Sequence, residues 1–319
     1  MTTHDKHPMC VSALLGQSGS GRGGICRTAK VKAYPDGSLE VLACDKPIFH
    51  PEGWEKAGKR SSRPRRSSEV QEEPQHQDRD PEQERASLDR SMRRARAQVR
   101  DLALANPFRW FVTLTLDQAK VDRYDMAAIT RKLNTWLDNQ VRRHGLAYVL
   151  VPERHKDGAI HFHGFFNDAV KAVFSGHRDR EGHPVYNLPA WSLGFTTAIE
   201  LYGDYHAAVG YVCKYIGKQG EKPGGRWYYS GGALQRPQVS FVDLGPRDLE
   251  ELEQEGGVYR FDVPEAGLSF ALLRARPVES GGKSSLELLF DSLEFTFSGL
   301  SSRSKTPGAV GFHGAGGVE

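Results

Sequence analysis

Apolar residues recur through the middle of the chain with two distinct periods and thin out towards its ends. From Glu82 on, Leu88, Met92, Ala95, Val99 and Leu102 return at spacings of four and three. They form the stripe of an amphipathic helix whose other sides carry Arg90, Arg93, Arg94, Arg96 and Arg100. Asn106-Pro107 should end it, because proline disfavours helix in the residue before it. Trp110 to Asp117, WFVTLTLD, is β-branched and aromatic and reads as a strand with Thr113, Thr115 and Asp117 on one face. A second helix is predicted over Ala127 to Arg143 from Ile129, Leu133, Trp136, Leu137 and Val141, stopped by Gly145. Leu146 to Glu153 and Ala159 to Phe166 follow as strands joined by Lys156-Asp157-Gly158, a hairpin loop with glycine where positive φ is needed. That loop pairs residues whose numbers sum to 314, so Glu153 is expected opposite His161 on one side of the sheet.

Beyond this hairpin the period is lost. Residues 167 to 192 read as an insertion broken by Gly176, Gly182, Pro184 and Pro189. Phe195 to Leu201 is a further strand. Asp204 is positioned to cap a helix with a core stripe of Tyr205, Val209, Val212 and Ile216, running to Gly220. On that helix Tyr211, Tyr215 and Lys218 fall on another side, at about 100° per residue. Val239 to Leu244 is expected as a closing strand. The predicted class is α+β: a central antiparallel β-sheet with helices on one face. The divisions are a glycine-rich and charged, largely disordered N-terminal region (1–81), a domain with a leading basic helix (82–244), an accessory segment (245–297) and a disordered tail (298–319). Within the first, Ala29–Tyr34 and Ser38–Leu42 flank the turn Pro35-Asp36-Gly37 and predict a small hairpin. Lys59 to Pro81 has almost no aliphatic residue to offset the entropy of ordering, and is expected to be a disordered linker. In the accessory segment an acidic helix (Arg247 to Gln254) and two apolar stretches (Leu268 to Leu273, Leu286 to Phe297) are expected.

Composition narrows the picture without deciding it. A hydrophobic content of 38% with 34 glycines in 319 residues predicts one core and unstructured flanks. The net charge is only +3, from 43 basic and 40 acidic residues, so nucleic-acid binding would rest on local patches. Cys10, Cys26, Cys44 and Cys213 lack C-x-x-C spacing and read as free thiols in a reducing compartment. No apolar run approaches the ~20 residues of a membrane helix, and the N-terminus lacks a signal-peptide layout. The expected location is the cytoplasm, with no membrane partner.

Two strings carry the candidate chemistry. In Ile160-His161-Phe162-His163-Gly164, alternation sends both imidazoles out of one strand face. With Glu153 opposite, His161 and His163 make a three-donor set suited to a divalent metal such as Mg²⁺ or Mn²⁺. The bland alternative is a decorated, solvent-facing strand; His155 shares the face as a weaker candidate. In Tyr211-Val212-Cys213-Lys214-Tyr215-Ile216-Gly217-Lys218, Tyr-x-x-Lys occurs twice, four residues apart. Tyrosines on a helix commonly only pack. Here the helix has a separate apolar stripe, and a cation near each phenol could favour phenolate and bind phosphate oxygen. Tyr211, Tyr215, Lys214 and Lys218 are therefore the candidate catalytic residues. Arg90, Arg93 and Arg94 are candidate phosphate contacts, with a solvated helix face as the alternative. Trp110, Trp191, Trp227, Tyr228 and Tyr229 are candidate base-stacking groups, with core packing as theirs.

WFVTLTLD, IHFHGFF and YVCKYIGK, in that order, resemble the three motifs of rolling-circle replication initiators of the HUH endonuclease superfamily. The doubled tyrosine is similar to that of phage-type, two-tyrosine replication proteins, as are LALANPFRWFVTLTLD and GGRWYYSGG. The resemblance covers about Ser87 to Phe241. It implies a ferredoxin/RRM-like core. It further implies a metal-dependent, site-specific single-strand endonuclease and strand transferase, with His161, His163 and Glu153 holding the metal and Tyr211 or Tyr215 forming a 5′-phosphotyrosine. Its implied substrate is single-stranded or hairpin origin DNA, acted on in the cytoplasm of a bacterial host. Its implied partners are a host helicase, since no Walker motif is present, and a host DNA polymerase. A two-tyrosine transposase and a non-catalytic DNA-binding protein on the same fold are the alternatives.

Overall fold

The computed structural model describes residues 24–51, 80–201, 203–218, 220–245, 248, 250 and 258–275. The segments expected to be disordered lie almost wholly outside that range, as do most of the acidic helix and Leu286 to Phe297. The chain divides into two compact units.

The first unit is a five-stranded antiparallel sheet in the order β10-β1-β2-β12-β11, from β1 (Gly24–Ala33), β2 (Leu39–Pro51), β10 (Gln238–Val242), β11 (Val258–Val263) and β12 (Leu268–Ala275). The expected hairpin is present, with longer strands. Val31, Val41, Ala43 and Leu273 are buried on one of its faces. Val239–Leu244 was expected to close the central sheet; instead its strand pairs with β1 here, Val31 lying opposite Ser240. Pairing between segments more than 200 positions apart leaves no local trace in the sequence. Cys44 and Cys213 are free thiols, but Cys26 is disulfide-bonded, so the reading of four free thiols does not hold.

The second unit carries α1 (Pro81–Leu104), β3 (Trp110–Leu116), α2 (Met126–His144), β4 (Tyr148–Arg154), β5 (Ile160–Phe166), β6 (Val173–Arg178), β7 (Pro184–Asn187), β8 (Gly194–Glu200), α3 (Tyr205–Tyr215) and β9 (Tyr229–Gly231). Its antiparallel sheet runs β6-β7-β8-β3-β5-β4-β9. Each helix starts on an aspartate whose carboxylate accepts backbone N–H bonds: Asp80, Asp125 and Asp204. The β4–β5 loop behaves as its sequence dictates, with Gly158 at φ 88° and Glu153 opposite His161.

Alternation sorts this sheet into two faces. Trp110, Val112 and Leu114 of β3, Leu150 of β4 and Phe162 and Phe166 of β5 form a closed core with Ile129, Leu133, Trp136 and Leu137 of α2. The opposite face is covered in part by α3, whose Tyr205 and Tyr211 rings lie 6.1 and 5.9 Å from Phe165 and Phe111; α1 in turn packs on α3. The α+β class and antiparallel sheet are as expected, but helices lie on both faces rather than one. Periodicity identifies an apolar stripe on each helix without saying which side of a sheet will cover it. The presumed insertion is also a regular hairpin, β6–β7, added to the sheet edge. Its strands are largely exposed and so lack an apolar alternation.

Candidate functional site

The face opposite α2 owes its polarity to the odd-numbered positions of three strands. Thr113, His163 and Val151 stand side by side in register, and one step along the strands so do Thr115, His161 and Glu153. The β3 threonines orient the imidazoles: Thr113 Oγ1 lies 3.1 Å from His163 Nδ1, and Thr115 Oγ1 lies 3.4 Å from His161 Nδ1. Each histidine thus has its Nε2 side turned away from β3, the arrangement by which an outer partner fixes a ligand ring. The His155 ring stacks on His161 at 5.1 Å, and its Nδ1 is 3.4 Å from Asp157.

Glu153 is the electrostatic centre. Its Oε2 is 2.8 Å from His163 Nε2 and its Oε1 accepts from Lys218 Nζ at 2.6 Å, with the carboxylate side chain only 11% exposed. Burial alone would raise its pKa from 4.5. The hydrogen bonds and charges of His163 and Lys218 outweigh burial and pull it down to about 2. For His161, burial is the leading cause of a lowered pKa, helped by the neighbouring His155 and His163, so the neutral, ligand-competent imidazole is favoured.

The tyrosines hang over the same face. Tyr215 stacks flat on His163, with ring centroids 4.1 Å apart and an interplanar angle of 9°. Tyr211 meets Tyr215 edge-on, and the Tyr215 hydroxyl donates to the Tyr211 oxygen at 2.6 Å. Burial first, then Tyr211 and the negative charge of Glu153, raise the Tyr215 pKa far above the usual phenol value, so Tyr215 stays protonated. The apolar residues Val209, Val212 and Ile216 are buried on another side of the segment, as the periodicity predicts.

Lys218 reaches Glu153 by a route the sequence did not suggest. A helix through Gly220 was expected, but α3 stops at Tyr215. The Ile216 carbonyl is capped by the Arg96 guanidinium at 2.7 and 3.1 Å, and Gly217 takes φ 75°. A Cβ at Gly217 would collide with Met92 Sδ, so both conformation and space select glycine. The turn sends Lys218 back to the sheet, its Nζ 5.5 Å from the Tyr215 ring centre. Lys214 stays on the helix and is exposed.

His161, His163, Glu153, Tyr211, Tyr215 and Lys218 therefore gather on one face. Two imidazoles and a carboxylate fit a divalent cation in kind. Among the described residues, however, no three His, Cys, Asp or Glu side chains converge as a metal-holding group; both Glu153 oxygens are engaged by His163 and Lys218.

The expected nucleic-acid contacts divide. Arg90, Arg93 and Arg94 are exposed on α1. Arg96 is not at large but caps α3. Trp227 is 8% exposed and donates Nε1–H to Ser91 Oγ at 2.9 Å, so its ring is packing rather than a surface platform; Trp110, Trp191 and Tyr229 are likewise buried. The Tyr228 hydroxyl donates to Gln98 at 2.6 Å. Sequence reasoning missed the threonines that orient the histidines, although the outward alternation of Thr113 and Thr115 was the available signal.

No match was found among curated proteins or among solved structures. Residues 109–220, about a third of the chain and the stretch that holds every residue of this cluster, match the family described as Replication-associated protein ORF2, so this segment is similar to replication-associated proteins.

Proposed function

We propose that the protein starts rolling-circle replication by nicking and rejoining one DNA strand through a tyrosine ester. The observation that carries this reading is the stacking of Tyr215 on His163 with Tyr211 in hydrogen-bond contact, which brings two phenols to the one sheet face that bears paired imidazoles and a carboxylate. The similarity of this segment to replication-associated proteins supports the biological setting.

In the reaction, a tyrosine Oη attacks the scissile phosphorus and the 3′ oxygen leaves with a proton. A 5′-phosphotyrosine and a primer 3′-OH result. One phosphodiester is exchanged for another, so no nucleotide cofactor is consumed. Tyr215, held protonated by burial and by Tyr211, must pass its proton on before it attacks; the second phenol beside it allows a second ester to form and the first to be reversed. His161, His163 and Glu153 would hold a divalent ion once Glu153 exchanges Lys218 for it. Such an ion, when bound, supplies Lewis-acid polarisation of the phosphate. Lys218, so released, and Lys214 are the cations available to phosphate oxygens. The exposed arginines of α1 would track the backbone. DNA is engaged single-stranded or as an extruded hairpin, with host helicase and polymerase completing replication.

The test incubates the protein and Mn²⁺ with labelled single strands tiled across the DNA that flanks its own gene, and reads denaturing gels. The wild type should form a covalent adduct with at least one strand. No adduct with any strand, or an adduct that persists in the Tyr211→Phe/Tyr215→Phe double variant, rejects the proposal.

A further inference from the structure

Helix α3 roofs only part of the polar face. Tyr205 and Tyr211 cover Phe165 and Phe111, and Tyr215 covers His163; there the helix ends. One row further along the strands, Glu153, His161, Thr115 and Phe195 lie side by side in register across β4, β5, β3 and β8. Phe195 is on the same face as the imidazoles and is 69% exposed, the largest value for a bulky hydrophobic side chain among the described residues. Its neighbour two positions along, Thr197, is exposed as well and stands in register with Thr113.

A lone exposed apolar side chain is ordinary on a protein surface. The position of this one is not. Two strand spacings, about 10 Å, separate its backbone from that of His161. A single strand whose phosphate sits over His161 and the phenols must set a neighbouring nucleotide within reach of β8. Phe195 presents a ring to it, between threonine hydroxyls that can meet sugar or phosphate. The other exposed hydrophobics of the sheet serve differently: Phe174 packs against Tyr186, whose register partner Ala198 belongs to the α2 face.

We infer that Phe195 is a positioning residue that stacks an unpaired base next to the scissile phosphate and so selects single-stranded over duplex DNA. The inference rests on the proposed nicking reaction only for the place of the phosphate; the stacking itself is measured apart from the chemistry. Base–aromatic stacking is sequence-tolerant, and its loss weakens binding by about 5- to 100-fold.

The experiment uses the full-length protein and fluorescein-labelled oligothymidylate of twenty nucleotides. Phe195→Ala should bind it about 5- to 100-fold more weakly than wild type, Phe195→Tyr should restore most of the affinity, and binding to a duplex of the same length should not change. In Phe195→Trp the added indole fluorescence should be quenched by the oligonucleotide beyond the wild-type background. Because the side chain is exposed, thermal melts of all three should overlay that of the wild type. Equal oligothymidylate affinity in Phe195→Ala, or no extra quenching in Phe195→Trp, overturns the inference even when adduct formation is normal. Loss of binding in Phe195→Ala alongside a wild type that makes no adduct upholds the platform and rejects the nicking chemistry instead.

Discussion

The two faces of the seven-stranded sheet are built from alternate residues of the same strands and differ in nearly everything else. On the α2 side Val112, Leu114, Leu150 and Phe162 are wholly buried. On the α3 side the intervening positions are Thr113, Thr115, Glu153, His161 and His163, linked by hydrogen bonds and only partly covered. One face supplies the free energy that keeps the strands straight and in register; the other spends none of its residues on a dry core and can carry chemistry. A one-residue slip would exchange them, which is why the hairpin at Gly158 matters as much as the histidines.

The comparison can be broken hardest from the apolar side. Phe162→Ala should cost about 3–5 kcal/mol in urea unfolding, because a fully buried ring leaves a cavity between sheet and α2; adduct formation should fall only in proportion to unfolded protein. Gly217→Ala should come next, at about 1–3 kcal/mol, since it combines a left-handed backbone with a collision at Met92. It should also pull Lys218 off Glu153, which a Glu153 carboxyl signal in NMR titration would report as a pKa moved up from about 2.

A smaller effect separates the faces by pH. The folded Glu153 pKa is depressed below 4.5, so its stabilisation is fully present above about pH 4.5 and is lost as pH falls towards 2. The size is on the order of 2 kcal/mol, discounted because Lys218 is 58% exposed. Glu153→Gln should remove that part of the acid-induced loss in urea titrations repeated across this range, and an unchanged slope would contradict the pairing. Smallest in stability is Thr113→Val, expected within about 1 kcal/mol of wild type as the loss of one side-chain hydrogen bond. If the threonine orients His163, adduct yield should nonetheless drop several-fold; an unchanged yield would mean that the imidazole needs no such support.

Much of this was legible in the residues themselves. Alternation and loop length placed Glu153 opposite His161 without any structure, and Asp204 with the Val209/Val212 spacing placed both tyrosines off the apolar stripe. What was not legible is diagonal or distant. Glu153 reaches past its register partner to His163 Nε2, a matter of side-chain torsions rather than strand position. Trp227 packs on Ser91, 136 positions away, so its surface role could not be judged locally. The β6–β7 hairpin is a sheet edge whose two faces are both wet, and so it has no alternation to read. Lys218 was misassigned to the helix because Arg96, on another helix, supplies the cap that ends α3.

That early end of α3 separates the fates of neighbouring side chains. The phenols ride on a rigid rod, while the ammonium sits past a hinge with only its tip tethered to the carboxylate. It can therefore let go without disturbing the phenols' aim: the nucleophiles keep their stance while the counter-charge is exchanged beneath them.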